Sequence, residues 1–213
     1  MIFFGETGVG KSSLINLILG REDAKISQDA VGCTLDNKSY PVKIEGQTYH
    51  LYDTAGLNRG GADTLEHPSA VQNLTSLVQF LAQNGRSNIH LLVFVVRCGR
   101  LPQTTEKAYK FLYYDVCKAR VPIVLVVTGC ENVEPDMDHW WSASTKERFE
   151  RSGMEFDGHA CVCADKGRMV EGEYSNSEVF EESREKVQNL ILKEYPPIRK
   201  KTRNIIFGGC THF

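Results

Sequence analysis

A short apolar strand, a glycine-rich loop and a helix follow one another within residues 1–19, and that order leaves few folds open. Residues 5–12 read Gly-Glu-Thr-Gly-Val-Gly-Lys-Ser, preceded by Ile2-Phe3-Phe4 and followed by Ser13-Leu14-Ile15-Asn16-Leu17-Ile18-Leu19. Glycines at this spacing let successive backbone N–H groups turn inward around a β-phosphate. Lys11 brings a point charge to the β- and γ-phosphates, and the Ser12 hydroxyl is a hard ligand for Mg²⁺. Gly5, Glu6, Thr7, Gly8, Val9, Gly10, Lys11, Ser12 and Ser13 are therefore the expected phosphate contacts. The pattern implies a site for a nucleoside triphosphate.

Two later runs, Ile89–Val96 and Pro122–Val127, are continuously apolar rather than alternating, so both of their faces must be covered. Around them the patterns predict a first strand at Met1–Phe4, a helix at Lys11–Leu19, and a hairpin of Lys38–Ile44 with Thr48–Asp53 turned at Glu45-Gly46-Gln47. A helix through Val71, Leu74, Leu77, Val78 and Leu81 follows, then helices at Thr104–Val116 and Asp138–Phe149, a strand at His159–Cys163 and a last helix at Glu178–Tyr195. Of Trp140 and Trp141, one is expected in the core and the other over the base or at a dimer surface, because adjacent helical residues cannot share a face. Cys161 and Cys163 are placed on opposite faces of their strand. The expected fold is α/β, a three-layer αβα P-loop NTPase with a mostly parallel twisted sheet of about six strands and one antiparallel edge strand. Residues 1–196 form this one domain, and 197–213 a basic, flexible tail.

Charge narrows the partners. Lys and Arg total 25 against 27 Asp and Glu, a formal net charge of −2 that offers no field for nucleic acid, so no nucleic-acid partner is expected. No apolar run reaches the roughly 20 residues of a transmembrane helix. The 7 cysteines form no CxxC pair, which fits a reducing, cytoplasmic setting. Met1 stands so close to Gly5 that the first strand is short, which leads to the expectation that the natural start lies further upstream.

Asp53-Thr54-Ala55-Gly56 ends the second hairpin strand. Asp53 would hold Mg²⁺ through a water, and the Gly56 N–H, with no Cβ in the way, would bond the γ-phosphate and tether the following loop only while the triphosphate is intact. Between the two motifs Thr34, in Val31-Gly32-Cys33-Thr34, is the hydroxyl that would complete the Mg²⁺ shell.

In this order Gly5–Ser12, Thr34 and Asp53–Gly56 resemble the first three signature motifs of Ras-like guanine-nucleotide-binding domains. The loop Glu-Thr-Gly-Val-Gly-Lys-Ser-Ser, Leu57 after Asp-Thr-Ala-Gly, and Gly99-Arg100 are more similar to the septin, immunity-associated and chloroplast-translocon group, and to fungal proteins carrying such a G domain. The resemblance implies GTP and GDP as ligands, Mg²⁺ as cofactor, a protein effector and a nucleotide-dependent homodimer in which Arg59 and Arg100 are candidates to act in trans. It also implies a fourth motif at Thr128-Gly129-Cys130-Glu131. Glu131 would accept N1–H and N2–H₂ of guanine together, whereas Gly129 removes the lysine stem that packs along the base in the family. Its fifth motif falls at Cys163-Ala164-Asp165-Lys166, with the Ala164 N–H on the guanine oxygen. Lys11, Thr34 and Gly56 would carry catalysis, and Leu57, standing where relatives orient water with Gln, implies slow hydrolysis. Two alternatives stay open: a nucleotide-gated interaction module with negligible hydrolysis, and a P-loop ATPase.

Overall fold

The computed structural model describes residues 1–21, 39–54, 74–79, 81, 89–99, 101 and 103–195. Its main sheet comprises β1 (Ile2–Phe4), β2 (Ser39–Ile44), β3 (Gln47–Asp53), β4 (Leu92–Arg97), β5 (Ile123–Thr128) and β6 (Gly158–Val162). Spatially the order is β2-β3-β1-β4-β5-β6, with β2 antiparallel to β3 and the other neighbours parallel. This is the expected α/β sheet with one antiparallel edge.

Continuous apolar strands arise because alternate residues feed two different cores. Val93, Val95, Val124 and Val126 face α1 (Lys11–Leu19) and the final helix Ser177–Glu194. Leu92, Phe94, Val96, Ile123, Leu125 and Val127 face the other layer, which includes Leu74 and Leu77, α2 (Gln103–Tyr109) and α3 (Ala143–Arg151); the final helix is α4. Each such side chain, fully buried, contributes roughly 1.5–3 kcal/mol of transfer free energy. A polar residue at any of these positions would lose that gain and carry a desolvation penalty, so the two strands tolerate polar substitution poorly.

The chain departs from the expected elements where local backbone chemistry overrides the apolar period. The hairpin closes on two residues, Glu45 at φ 48° and Gly46 at φ 77°, and Gln47 is already paired with Ile44. Two positive φ values match the right-handed twist of the flanking strands, which a longer turn need not do. After Tyr109 the helix widens into a π-helical stretch, Lys110–Val116, closed by Cys117 N–H on the Leu112 carbonyl at 2.9 Å. The single helix expected over Asp138–Phe149 is a 3₁₀ turn, Met137–Trp140, followed by α3. Asp136 accepts the His139 N–H at 3.0 Å and Ser142 accepts that of Thr145 at 3.4 Å, so two capping residues start two helices.

Both tryptophans are half-buried and pack on Phe149, and Trp141 also stacks on His159 at 4.8 Å. Neither is thereby given to a nucleotide base. Cys161 and Cys163 point into the same core while Val162 points into the other, as residues two apart in a strand must. A small hairpin, β7 (Met169–Val170) with β8 (Glu173–Tyr174), was not foreseen; strands this short leave no periodicity to read.

The chain leaves β1 for β3 on one side and reaches β4 on the other, so the strand order reverses at β1. A crevice opens at the carboxyl ends of strands at such a reversal. Gly5 follows β1 at this point.

Candidate functional site

The loop after β1 is pressed on its neighbour strand. At Gly5, φ is +147° and a Cβ would lie 2.1 Å from the Val95 carbonyl oxygen of β4. Only glycine permits this approach, and it sets where the loop begins. Gly5→Ala is expected to destabilise the fold by about 3 kcal/mol through overlap and backbone strain, read as a lowered urea midpoint. An unchanged midpoint would contradict the packing described.

Gly10, at φ 93°, is the N-cap of α1; it brings no capping side chain, and no acidic residue occupies the first turn. The first N–H groups of α1 are thus not taken by a side-chain cap and present the positive end of the helix dipole to the crevice. Lys11 is only 6% exposed, and its Nζ donates to the carbonyls of Gly5 at 3.1 Å and Glu6 at 2.7 Å. The ammonium therefore closes the loop upon itself, and a buried cation is held on its mouth. Thr7 and Gly8 are exposed on the loop, whereas Val9 is buried beneath it.

The Glu6 side chain has a task of its own. Its carboxylate accepts the hydroxyl of Thr104, and that of Thr105 at 3.2 Å, tying the loop to the start of α2. Nothing in the local sequence signals a partner 98 residues away.

Ser12 Oγ donates to Asp53 Oδ2 at 2.6 Å, joining the first turn of α1 to the end of β3. Burial pushes the Asp53 carboxyl above its ordinary value, and the Ser12 hydroxyl and the Lys11 charge pull it back only in part. A desolvated carboxylate beside a hydroxyl, both hard oxygen donors, fits a small divalent cation such as Mg²⁺. Thr54, by contrast, spends its hydroxyl on the Phe3 carbonyl at 2.7 Å, locking β3 to β1.

The segment expected as the fourth motif, Thr128–Glu131, is built against this loop. Thr128, 3% exposed, donates its hydroxyl to the Val9 carbonyl and lies 3.3 Å from that of Val96, so the side chain serves the phosphate loop directly. Cys130 N–H bonds the Val162 carbonyl at 3.2 Å, which draws the end of β5 to the end of β6. Glu131 Oε2 is buried and has no hydrogen-bond partner among the described residues. Its carboxylate acts on the Cys163 thiol, which burial first and then this negative neighbour push up to about 11. The segments expected to form the fourth and fifth motifs are thus in contact.

The fifth-motif loop is braced from below. Cys163 N–H donates to Ser183 Oγ at 2.9 Å, Asn176 Nδ2 to the Asp165 carbonyl at 3.1 Å, and Lys166 Nζ lies 5.6 Å from the ring centres of both Tyr174 and Phe180. Ala164 is half-buried within it. Sequence reasoning missed this bracing, which comes from α4 and its N-cap Asn176, with Tyr174 added by the unforeseen β7–β8 hairpin. Thr34 and Gly56, together with Leu57, Arg59, Arg100 and the tail 197–213, lie outside the described residues.

The profile of the family described as 50S ribosome-binding GTPase matches residues 1–129. GTPase Der of Aliivibrio salmonicida is 38% identical over 111 residues, which is 47% of this chain and 22% of that protein. GTPase Der of Staphylococcus haemolyticus is 28% identical over 193 residues, or 89% of this chain and 41% of that protein. The chain therefore spans less than half the length of these relatives. Among solved structures, Toc33 of Arabidopsis thaliana superposes with a TM-score of 0.58 at 20% identity, covering 95% of this chain and 84% of that one. Era of Aquifex aeolicus does so with a TM-score of 0.54 at 18% identity, covering 87% and 55%. At these identities the likeness speaks for the fold. The profile match extends from β1 through the loop at Gly5–Ser12 to Gly129, just past β5, and the chain belongs to the 50S ribosome-binding GTPase family.

Proposed function

We propose that the chain is a guanine-nucleotide-binding switch that hydrolyses GTP slowly to GDP and phosphate in the cytoplasm. The observation that carries the choice of guanine is the buried, unpartnered Oε2 of Glu131. An acceptor left so would cost about 1–3 kcal/mol, and the N1–H and N2–H₂ edge of guanine supplies donors that adenine lacks. Ala164 would add its N–H to the guanine oxygen. Residues 5–13 would wrap the phosphates, with Lys11 turning from its own loop carbonyls toward the β- and γ-phosphates.

Ser12, Asp53 and Thr34 would hold Mg²⁺, which when bound neutralises charge developing on the phosphate oxygens. Gly56 would sense the γ-phosphate. Leu57 offers no hydrogen bond to a water, so turnover in the isolated chain is expected on the order of 10⁻³ s⁻¹ or slower. For the chloroplast translocon components Toc33 and Toc159, dimerization is important for GTPase activity. A nucleotide-dependent homodimer is accordingly proposed here, along with a protein effector. Era has been crystallised with nucleotides of 16S ribosomal RNA, but the net charge of −2 argues against such a ligand for this chain. Leu57 also favours a second reading, a nucleotide-gated module without turnover.

Single-turnover hydrolysis of γ-labelled GTP, followed over a range of protein concentrations with Mg²⁺ or with EDTA, separates these readings. Release of phosphate that needs Mg²⁺ and quickens with concentration supports the switch that completes its site by pairing. A rate independent of concentration removes the dimer from the proposal, and bound GTP that never turns over supports the module. Failure to bind GTP removes both.

A further inference from the structure

We infer that Arg97, at the end of β4, supplies the stacking surface across the purine that Gly129 lacks. The inference rests on the guanine reading above and adds a specificity-determining residue to the same site. Gly129 stands at φ +76°, and a Cβ built there would meet Arg97 Cγ and Nε at 3.6 Å and Cζ at 3.8 Å. Both the stem and the guanidinium of Arg97 therefore run along the bare backbone of the fourth motif, in the lane that a side chain at position 129 would enter.

The strand register makes this placement firm, since Arg97 pairs with Thr128, the residue before Gly129. Cys98 N–H then bonds the Thr128 carbonyl at 2.7 Å, fixing the backbone on the other side of Arg97. Arg97 is the exposed residue of an otherwise buried strand, and among the described residues it forms no ion pair. Its side chain lies against Gly129. Glu131, two residues beyond Gly129, stands near enough that Cys98 feels both its charge and that of Arg97.

A planar base has two recognisable parts, its edge and its face. Glu131 answers the edge, since carboxylate oxygens match in-plane donors. A guanidinium is planar, weakly hydrated and cationic, which suits the face and which a lysine ammonium does not match. The glycine and the arginine are therefore complementary: the first clears the lane and the second fills it from the adjacent strand.

The test measures binding of fluorescent N-methylanthraniloyl-GDP and its displacement by unlabelled GDP and by inorganic pyrophosphate, for the parent, Arg97→Ala and Arg97→Lys. Because Arg97 is exposed, all three should melt at similar temperatures. Arg97→Ala is expected to weaken GDP by about tenfold while pyrophosphate changes by less than about twofold, and Arg97→Lys to remain at least about threefold weaker than the parent for GDP. Equal losses for GDP and pyrophosphate would place Arg97 on the phosphates and overturn the inference, as would full recovery by lysine or unchanged GDP affinity in Arg97→Ala. If the parent itself binds no guanine nucleotide, the site reading beneath the inference fails with it, a result distinct from binding that ignores position 97.

Discussion

Lys11→Ala is expected to lower the affinity for N-methylanthraniloyl-GDP at least about 1,000-fold, equivalent to about 4 kcal/mol, and so in practice to abolish binding. Two physical losses combine. The ammonium is the charge seated at the loop mouth, and charge-assisted bonds to phosphate oxygens are the strongest the site offers. Its bonds to the Gly5 and Glu6 carbonyls also hold the loop in shape, so alanine removes the charge and slackens the cradle together. Lys11→Arg keeps the charge but not the compact head, and recovers binding only in part. Titration of each variant, with circular dichroism to confirm the fold, checks this; affinity within tenfold of the parent in Lys11→Ala would remove the phosphate-loop assignment.

Glu131→Gln tests the base. Replacing one carboxylate oxygen by an amide breaks the paired acceptance of N1–H and N2–H₂, a loss of about 2–4 kcal/mol or roughly 30- to 1,000-fold in GTP affinity. The unliganded protein should not be weakened in the same measure, because the affected oxygen has no partner among the described residues. Affinity and unfolding midpoint are therefore expected to separate, which a merely structural glutamate would not allow. Glu131→Asp should retain guanine preference. Parental GTP affinity in Glu131→Gln, with ATP still excluded, would mean that the base is read elsewhere.

Much of the fold was legible because the decisive signals are local or periodic. The helix at Lys11–Leu19 was readable to the residue: its glycine entry, its apolar spacing and Gly20 at its end are all within one turn of the element they define. The unbroken Ile/Val/Leu runs announced central strands, since only burial on both faces tolerates them. What escaped depends on tertiary partners or on short capping contests. The split at Trp141-Ser142 arose because Ser142 caps a second helix inside one apolar pattern. The error at Cys161 and Cys163 was one of strand geometry, and the core itself corrects it.

Within the site, Ser12 and Asp53 were expected separately, each as a holder of Mg²⁺; that their side chains meet at 2.6 Å follows from the adjacency of β1 and β3. Glu6 was foreseen only as part of the loop. Its threonine partners come from a helix that follows β4, and no spacing rule links them. Arg97 was missed for a related reason: its meaning depends on the absence of a side chain at Gly129, and an absence on one strand does not point to a residue on the next.

The bond from Thr128 to the Val9 carbonyl gives these parts a common fate. On the proposed reading, the hydroxyl belongs to the segment that would meet the base, and its acceptor to the segment that would meet the phosphates. Opening either end breaks the same contact, so on the proposed reading the two halves of the crevice would be coupled through it. A ligand gripping only the phosphates would thereby lower the entropy still to be lost at the base end, and the reverse holds equally. Binding of a whole nucleotide would then exceed the sum of its separate grips.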